Sequence, residues 1–592
     1  MDYSVVLKER KEKLLNYFKG NKNWLIYIIL AAITLIGVYI RTRNIWLFQG
    51  YKYIPDVDSY LFVRYAQYIV DHGKLMVVDM MRNVPLGANT GYEATVLAYI
   101  MAYMYKLFSI FNSSINMMFV AAWYPPIFFA LSLIVFFLLI RRLLNWKVAL
   151  LSSAFLTVIP AYIYRTTAGV SDKEPLAMFF LFLALYFYVV AWQSKDTKFV
   201  ILFGLLSGLS TGILSLTSGF VSFATLLISL FMMVQLFISK ILRVDYYLYF
   251  VWLIPAIIFP ATSLKYGKLF GVLSSYTLNI PIFVGLLLLF NYLIYESNIL
   301  NIKNKLGERL PHGIVAFIAT FLFVILAVSI IFGPSFLADQ YTFITNDLFK
   351  PEGTSRFQLT VAEGKETTFG DWINNATFGI SIPYLTYLYI FLFLGGALLL
   401  FYNFIKPIKQ HTKKLVIAFS LFILLFMLTE YSSYDLIAGN GPFSNFLKFV
   451  ALAGFVGLLI VGYIYYFYKD KTIFNEILKI DKFYTFLFIW FFLGLISVKG
   501  GIRLFFTFAP ITAILASYFI IYLIDYVKGL NAGNYKTVLW VIIFVVLYLT
   551  LSSFFKVSYN ASKYTGLGYD EQWQLAGNWV KENTKEDAVF IH

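Results

Sequence analysis

Three short acidic clusters carry the residue types that could bind a hard cation. They are Pro55-Asp56-Val57-Asp58, Ser171-Asp172-Lys173-Glu174 and Thr360-Val361-Ala362-Glu363. Carboxylates two residues apart in an extended turn can face one ion, and Mg²⁺ and Mn²⁺ prefer oxygen ligands. An Asp-x-Asp in a wet loop is more often simply solvated, and Asp172 could instead cap a helix ahead of Pro175. Each cluster alone is therefore a weak indication of a metal site.

Two arginines could add a phosphate-binding group beside these carboxylates. Arg165 precedes Asp172 by seven residues, and Arg503 opens an apolar segment. The guanidinium group matches phosphate geometry with two parallel hydrogen bonds, although either side chain could equally be an interfacial anchor. The four histidines show no metal-ligand spacing, and the absence of cysteine excludes thiolate catalysis, disulfides and Cys-ligated zinc.

The composition indicates that most of the chain lies in a bilayer. Of its 592 residues, 60% are hydrophobic and only 13% are charged, whereas a soluble domain carries about 25% charged residues. The formal net charge of +16 could suggest a nucleic-acid partner. Basic loops on the cytoplasmic side of a membrane explain it better, so we expect membrane lipid around the chain and no nucleic acid.

The apolar segments predict an all-α polytopic membrane protein. About 20 apolar residues are needed to cross the hydrocarbon core as a helix. Such segments lie near 24–40, 118–140, 147–163, 175–193, 199–216, 218–238, 246–262, 279–297, 313–333, 382–403, 414–431, 446–467, 483–498, 502–524 and 537–556. We therefore expect roughly 13–15 spans, with 93–110 as an additional apolar stretch.

The basic residues orient these spans. The basic cluster before Trp24 and the pair Arg141 and Arg142 are predicted to be cytoplasmic, which keeps 93–110 outside as an interfacial or re-entrant helix. The outer side then carries a loop over 41–92, a second loop over 334–381 and the tail after 556. All three acidic clusters fall on this side, although only Lys and Arg were used to set the orientation.

The predicted domain organisation follows from this topology. A transmembrane catalytic domain covers 1–556, with 41–117 as the first external loop and 334–381 as a flexible lid-like loop. In the tail, Trp573, Ala576 and Val580 fall on one helical face, and the final Asp587–His592 stretch is typical of a strand. A tail of this length cannot bury a core of its own. We expect 557–592 to begin an extracytoplasmic soluble domain that is mostly missing.

Together these motifs resemble the catalytic subunit of oligosaccharyltransferase, its archaeal and eukaryotic branch more than the bacterial one. The similar stretches, in family order, are PDVDSY, YRTTAGVSDKE, LSLTSGF, TVAEGKETTFGDW, VKGGIRLFFTFAP and WQLAGNWVKENTKEDAVFIH. Three features depart from the family pattern. LSLTSGF lacks the usual Trp, the excess of spans lies in 414–467, and the chain stops where the acceptor-reading Trp-Trp-Asp-Tyr-Gly motif would follow.

The resemblance implies a GT-C-type transmembrane domain and a metal-dependent, inverting glycosyltransferase of the single-subunit type. Its substrates would be an oligosaccharide on a polyprenyl (dolichyl) phosphate or pyrophosphate and an acceptor polypeptide containing Asn-x-Ser/Thr. The implied residues are Asp56, Asp58 and Glu363 for catalysis, Asp58, Asp172, Glu174 and Glu363 for Mn²⁺ or Mg²⁺, and Arg503 and Arg165 for the phosphate. The enzyme would be a multi-pass protein of the plasma membrane with an extracytoplasmic active site.

Two other functions compete with this interpretation. Another polyprenyl-phosphate-sugar transferase, acting on protein hydroxyls or on lipid, would share the first acidic motif. The TVAE stretch and the tail argue against it. A lipid-glycan transporter would carry its carboxylates inside the spans, often with internal repeats. Here the carboxylates cluster at the outer mouth and no repeat is evident.

Overall fold

The computed structural model describes residues 23–238, 241–297, 310–336, 338–339, 341–342, 367, 372, 387–431, 442–498, 501–531, 533–585 and 588–590. The α-helices in these ranges are α1 (Asn23–Arg41), α2 (Ser59–His72), α3 (Val96–Phe111), α4 (Met117–Leu143), α5 (Trp146–Val158), α6 (Pro160–Ile163), α7 (Glu174–Gln193), α8 (Thr197–Thr217), α9 (Val221–Ile238), α10 (Arg243–Ala261), α11 (Lys268–Ser274), α12 (Tyr276–Asn291), α13 (His312–Phe332), α14 (Leu388–Ile405), α15 (Thr412–Tyr431), α16 (Pro442–Phe449), α17 (Phe455–Lys469), α18 (Lys471–Ile477), α19 (Lys482–Ser497), α20 (Phe505–Gly529), α21 (Asn534–Lys563) and α22 (Glu571–Asn583).

The predicted all-α polytopic architecture is confirmed. Within the described ranges, 12 helices are long and apolar enough to cross a membrane, and a thirteenth results if the bent pair α18 and α19 forms one span. Every one of the predicted apolar segments contains helix. The helices α5 and α17 are apolar but shorter than a span, and 446–467 consists of α16, a π-turn at Val450–Gly454 and α17.

Proline breaks the helix predicted over 147–163. The ring of Pro160 has no N–H to donate, and it disfavours a helical conformation in the preceding residue. Accordingly α5 ends at Val158, Ile159 is extended with φ −68° and ψ 117°, and the short helix α6 begins at Pro160. This break redirects the chain toward the loop that carries Arg165 and Asp172.

Helices of the N-terminal half pack side by side in chain order. Helix α4 packs against α7, α7 against α8, and α8 against α10. Small residues allow the last of these approaches: a Cβ on Gly208 of α8 would lie 2.5 Å from the carbonyl oxygen of Trp252 on α10. In the C-terminal half, α20 packs against α14, α19 and α5, which joins the two halves at the broken helix.

The first external loop folds into a small helical unit instead of an extended chain. It contains a 3₁₀ turn at Ile45–Phe48, helix α2, a two-stranded antiparallel sheet and helix α3. The strands are β1 (Val78–Asp79) and β2 (Ala88–Asn89). Helices α2, α3 and the start of α4 share an apolar core of their own. The predicted helix at 93–110 is therefore present as α3, and its position at the membrane interface stays a prediction.

Helix α21 continues to Lys563, past the predicted end of its span at 556. Helix α22 forms where the sequence predicts it, yet Trp573 is 64% and Trp579 is 63% exposed. Residues 588–590, the described part of the stretch predicted as a strand, adopt no regular secondary structure.

Candidate active site

The first acidic cluster places its two carboxylates in different surroundings. Asp56 is half-buried, and its Oδ2 accepts hydrogen bonds from the backbone N–H of Ser59 at 3.0 Å and from the Ser59 hydroxyl. Asp58 is exposed and stands directly before α2, where its side chain makes no capping hydrogen bond. Asp56 therefore satisfies the first turn of α2, and Asp58 is left accessible.

The second acidic cluster lies at the mouth of α7. Asp172 does not cap this helix: its Oδ1 accepts from the backbone N–H of Lys173 at 2.7 Å and lies 4.0 Å from the Lys173 ammonium group. The Tyr124 hydroxyl of α4 donates to the carbonyl oxygen of Asp172 at 3.1 Å and accepts from the N–H of Leu176 at 3.1 Å. Helix α4 thus positions the backbone around Asp172 through Tyr124. The Asp172 carboxylate itself contacts only Lys173 among the interactions described above.

A serine pair joins the two acidic clusters. The backbone N–H of Ser171 donates to the Ser59 hydroxyl oxygen at 2.7 Å, and that same hydroxyl donates to Asp56. Both serines are fully buried. Two serines 112 positions apart in sequence are therefore connected through one hydroxyl group. Asp56 comes close enough to Asp172 for their charges to interact.

The electrostatic surroundings of Asp56 disfavour its negative charge. Burial raises the pKa of this carboxyl above its ordinary value of 3.8, and the nearby carboxylates of Asp172 and Asp58 raise it further. Hydrogen bonds from Ser59 oppose the shift without cancelling it. Clustered carboxylates of this kind are stabilised in their charged form by a cation placed between them.

The donor atoms fit a hard divalent cation, although the described residues do not form a complete set of ligands. Within those residues, no three His, Asp or Glu side chains come close enough to hold a metal. Glu363, one of the four expected ligands, lies outside the described ranges. The Oε2 atom of Glu174 is buried and has no hydrogen-bond partner among the described atoms. A buried carboxylate oxygen left in this state is a suitable ligand position for Mg²⁺ or Mn²⁺.

The predicted arginines lie at neighbouring elements. Arg165 is half-buried after α6 and attracts the Glu174 carboxylate electrostatically. Arg503 is exposed in a 3₁₀ turn, Ile502–Leu504, that opens α20. The rings of Tyr162 on α6 and Phe506 on α20 stack with centroids 4.8 Å apart, which brings the two elements together.

The second external loop reaches the same region through its described residues. The Thr367 hydroxyl donates to the carbonyl oxygen of Val498 at 3.1 Å. Trp372 is fully buried and packs edge-on against Phe505, with ring centroids 5.3 Å apart. Thr367 and Trp372, which follow Glu363 in the sequence, therefore lie close to the turn that contains Arg503.

Sequence reasoning missed two side chains near the acidic pair. Lys173, inside the second motif, lies beside Asp172, and Lys265 lies close enough to Lys173 for their charges to repel. Lys265 belongs to a short turn, Leu264–Tyr266, between two spans. That turn carries no motif, so only the tertiary placement of α10 and α12 identifies it.

A bundle of apolar helices whose external loops bring carboxylates and arginines together has the architecture of a GT-C-type membrane glycosyltransferase. The chain belongs to the family described as oligosaccharyl transferase STT3, because the model of its N-terminal domain matches residues 25–332, which is more than half of the chain.

Two curated relatives of the chain are proteins of Pyrococcus species. The dolichyl-phosphooligosaccharide-protein glycotransferase 1 of Pyrococcus furiosus is 26% identical over 466 residues, covering 74% of this chain and 44% of the relative. Its counterpart in Pyrococcus horikoshii is 25% identical over 421 residues, covering 69% and 39%. The chain thus spans less than half the length of these relatives.

Solved structures of the Archaeoglobus fulgidus oligosaccharyltransferase share the fold. The apo form superimposes with a TM-score of 0.67 and 16% identity, covering 95% of this chain and 59% of that one. A complex with an inhibitory peptide and a dolichol-phosphate gives a TM-score of 0.64 at 16% identity and the same coverage. A complex with Zn and sulfate gives 0.58 at 15% identity, covering 94% and 56%. The predicted GT-C fold is confirmed.

Proposed function

We propose that this protein transfers an oligosaccharide from a polyprenyl (dolichyl) phosphate or pyrophosphate to the amide nitrogen of Asn in Asn-x-Ser/Thr. The observation that carries the proposal is the meeting of Asp56 and Asp172 through the Ser59–Ser171 pair in a chain of the STT3 family. The names of the Pyrococcus relatives support the reaction. The A. fulgidus complex with a peptide and a dolichol-phosphate supports both substrate classes.

We propose that the reaction takes place on the extracytoplasmic face of the plasma membrane. Both described acidic clusters lie near the Tyr124 end of α4, opposite to the end that carries Arg141 and Arg142. Since basic loops favour the cytoplasm, the carboxylates face outward. Substrate glycan and acceptor chain would meet there, at the mouth of α7.

The acceptor amide presents the main chemical difficulty, because its nitrogen lone pair is delocalised into the carbonyl group. Asp56 or Asp58, together with Glu363, would accept hydrogen bonds from the two amide N–H groups and hold the nitrogen out of conjugation. The Ser59 bonds leave Asp56 Oδ1 for this purpose and fix the orientation of the carboxylate. A fixed acceptor stabilises the transition state without reorganisation at the moment of reaction.

Asp58, Asp172, Glu174 and Glu363 would hold a divalent cation, Mn²⁺ or Mg²⁺. When bound, such an ion supplies positive charge that offsets the charge on the departing phosphate. The buried, unpartnered Oε2 of Glu174 supports this donor set, as does the Zn and sulfate complex of the A. fulgidus enzyme.

Arg503, with Arg165, would bind the carrier phosphate. The new bond joins the anomeric carbon to the amide nitrogen, and the bond from that carbon to the phosphate oxygen breaks, so that the phosphate leaves with the electron pair. The amide proton passes to a carboxylate or to solvent. A single displacement without a covalent enzyme intermediate inverts the anomeric centre.

The raised pKa of Asp56 predicts how the rate depends on pH. Asp56 must be ionised to accept from the amide, so activity should fall on acidification at a higher pH than an ordinary Asp with a pKa of 3.8 would cause. A bound cation favours the ionised form, so saturating Mn²⁺ should move this acidic limb to lower pH. Initial rates from pH 4 to 8 at two Mn²⁺ concentrations measure the shift. An acidic limb that Mn²⁺ does not move would contradict this account of Asp56.

A transfer assay tests the function itself. Membranes containing the full-length protein are given a fluorescent Asn-x-Thr peptide, lipid-linked glycan and Mn²⁺, with a Gln-x-Thr peptide as the matched control. Glycopeptide from the Asn peptide alone, lost on addition of EDTA, is the expected result. Transfer to a hydroxyl or lipid acceptor, with none to Asn, would instead indicate a different polyprenyl-phosphate-sugar transferase.

A further inference from the structure

The last residue of α1, Arg41, is a fully buried cation. Its Nε donates to the Thr166 hydroxyl oxygen at 2.7 Å, and its Nη1 donates to the carbonyl oxygens of Gly37 at 3.1 Å and Thr157 at 3.0 Å. The guanidinium carbon lies 3.3 Å from the centroid of the Phe129 ring. In the described part of the chain Arg41 has no acidic partner. A buried charge without a counter-ion is unfavourable, which suggests a role beyond stabilising the fold.

Arg41 acts at the break between α5 and α6. A proline interrupts the helix there and leaves carbonyl oxygens of the last turn without their helical partners. Arg41 satisfies the carbonyl of Thr157, and the Ser558 hydroxyl of α21 satisfies that of Val158 at 2.7 Å. The angle at which the chain leaves α5 is therefore defined by side chains from α1 and α21.

Beyond the break, the segment 166–171 is fixed by hydrogen bonds and not by regular structure. The backbone of Ala168 is held on both sides: its N–H donates to the carbonyl oxygen of Arg41 at 2.8 Å, and its carbonyl oxygen accepts from the Asn44 amide at 3.0 Å. The N–H of Gly169 donates to Ala122 of α4 at 3.2 Å. The segment then ends at Ser171, which binds Ser59.

We propose that Arg41 is the positioning residue for the second acidic motif. By joining α1 to the chain on both sides of α6, at Thr157 and at Thr166, it fixes where Asp172 and Glu174 stand relative to Asp56. The proposal rests on the cation-dependent function proposed above. In that function Arg41 does not contact a substrate and acts only through the positions of Asp172 and Glu174.

A purely structural role predicts a different outcome from a positioning role. Arg41→Met removes the donors to buried oxygens of Gly37, Thr157 and Thr166, and a buried acceptor left unpaired lowers stability. A merely structural role would therefore lower the stability of the variant without changing the affinity of the folded protein for the cation. A positioning role predicts instead that the variant stays folded and binds the cation less tightly, because groups that orient metal ligands typically contribute about 10–100-fold to affinity.

The test measures Mn²⁺ binding directly on purified full-length protein, by loss of the free-ion electron paramagnetic resonance signal. Measured below its own unfolding temperature in EDTA, Arg41→Met should bind Mn²⁺ at least about tenfold more weakly than wild type. Arg41→Lys, which keeps the charge but not the fork geometry, should recover part of the loss. Arg43→Met is the matched control: Arg43 also bonds a carbonyl oxygen and stacks on a ring, both of Tyr39, and does not touch the segment 157–171. It should bind Mn²⁺ as wild type does.

Two further results distinguish a positioning role of Arg41 from misfolding of Arg41→Met and from failure of the proposed cation site. Thr166→Val removes the acceptor of the Arg41 Nε bond, together with the hydroxyl bond that Thr166 donates to the carbonyl oxygen of Tyr162. It should weaken Mn²⁺ binding in the same direction even if Arg41→Met unfolds. Wild-type affinity in both folded Arg41→Met and Thr166→Val would overturn the positioning role. Failure of the wild-type protein itself to bind Mn²⁺ would overturn the proposed cation site instead.

Discussion

Asp172→Asn is expected to lower the rate of glycan transfer by roughly 10²–10³-fold, the range seen when one preorganised electrostatic group is removed from an active site. The substitution is nearly isosteric. The side-chain oxygen of an Asn at position 172 can still accept a hydrogen bond from the N–H of Lys173. The hydrogen bond from the Tyr124 hydroxyl involves only the backbone carbonyl oxygen of residue 172. The fold around α7 should persist, so the loss reports the missing negative charge.

The same assay applied to Glu174→Gln and Glu363→Gln extends the test to the other expected ligands. Asp71→Asn serves as the control, because Asp71 is an exposed acid on α2 that interacts with Gln67 at 2.9 Å. It should retain the wild-type rate. Near-normal transfer by both the Asp172 and the Glu363 variants would mean that these carboxylates hold no catalytic cation.

The spans were predictable because an apolar segment that is long enough to cross a bilayer folds as a helix. A backbone without water must satisfy its own hydrogen bonds, and a helix does so within one segment. The segments predicted at 24–40 and 118–140 accordingly correspond to Asn23–Arg41 and Met117–Leu143. Pro160 was a readable signal for the break in 147–163, whereas the π-turn at Val450–Gly454 has no comparable local cause in the sequence.

The acidic site was predictable only as a set of outward-facing carboxylates. The number of spans between Asp56 and Asp172 assigns both residues to one side of the membrane. It does not predict the distance between them. Their connection depends on Ser59 and Ser171, two ordinary serines whose hydrogen bond exists only once α2, α4 and α7 have packed. Residue type and spacing carry no signal for such a contact.

The burial of Arg41 could likewise not be predicted from residue type and spacing. In the sequence, Arg41 and Arg43 both follow an apolar span, and either is typical of an interfacial anchor. Arg41 is the last residue of α1, whereas Arg43 lies in the turn that follows this helix. The packing of α1 against α4 and α5 buries Arg41, while Arg43 stays partly exposed over Tyr39.

Gly169→Val is expected to reduce glycan transfer by about 10²-fold, the effect of misplacing reacting groups by roughly 1 Å. Gly169 has a φ of +79°, a left-handed backbone conformation that residues with a side chain rarely adopt. A Cβ at this position would lie 2.4 Å from Cδ of Pro55. Pro55 cannot easily withdraw, because its carbonyl oxygen accepts from the N–H of Gly568 at 2.8 Å on the tail. The added side chain should therefore displace Asp56, the next residue, from its place beside Asp172.

Gly50→Val separates this displacement from backbone strain. Gly50 has a similar φ of +70° in the same external loop, and a Cβ there would meet nothing within 4 Å. Both variants incur a left-handed penalty of about 1–2 kcal/mol, which unfolding of the purified proteins in EDTA measures. Only Gly169→Val should also lose transfer activity and the stabilisation that Mn²⁺ confers on the wild type. Equal losses in the two variants would assign the effect to strain in the loop, and the contact between Gly169 and Pro55 would then have no role in placing the carboxylates.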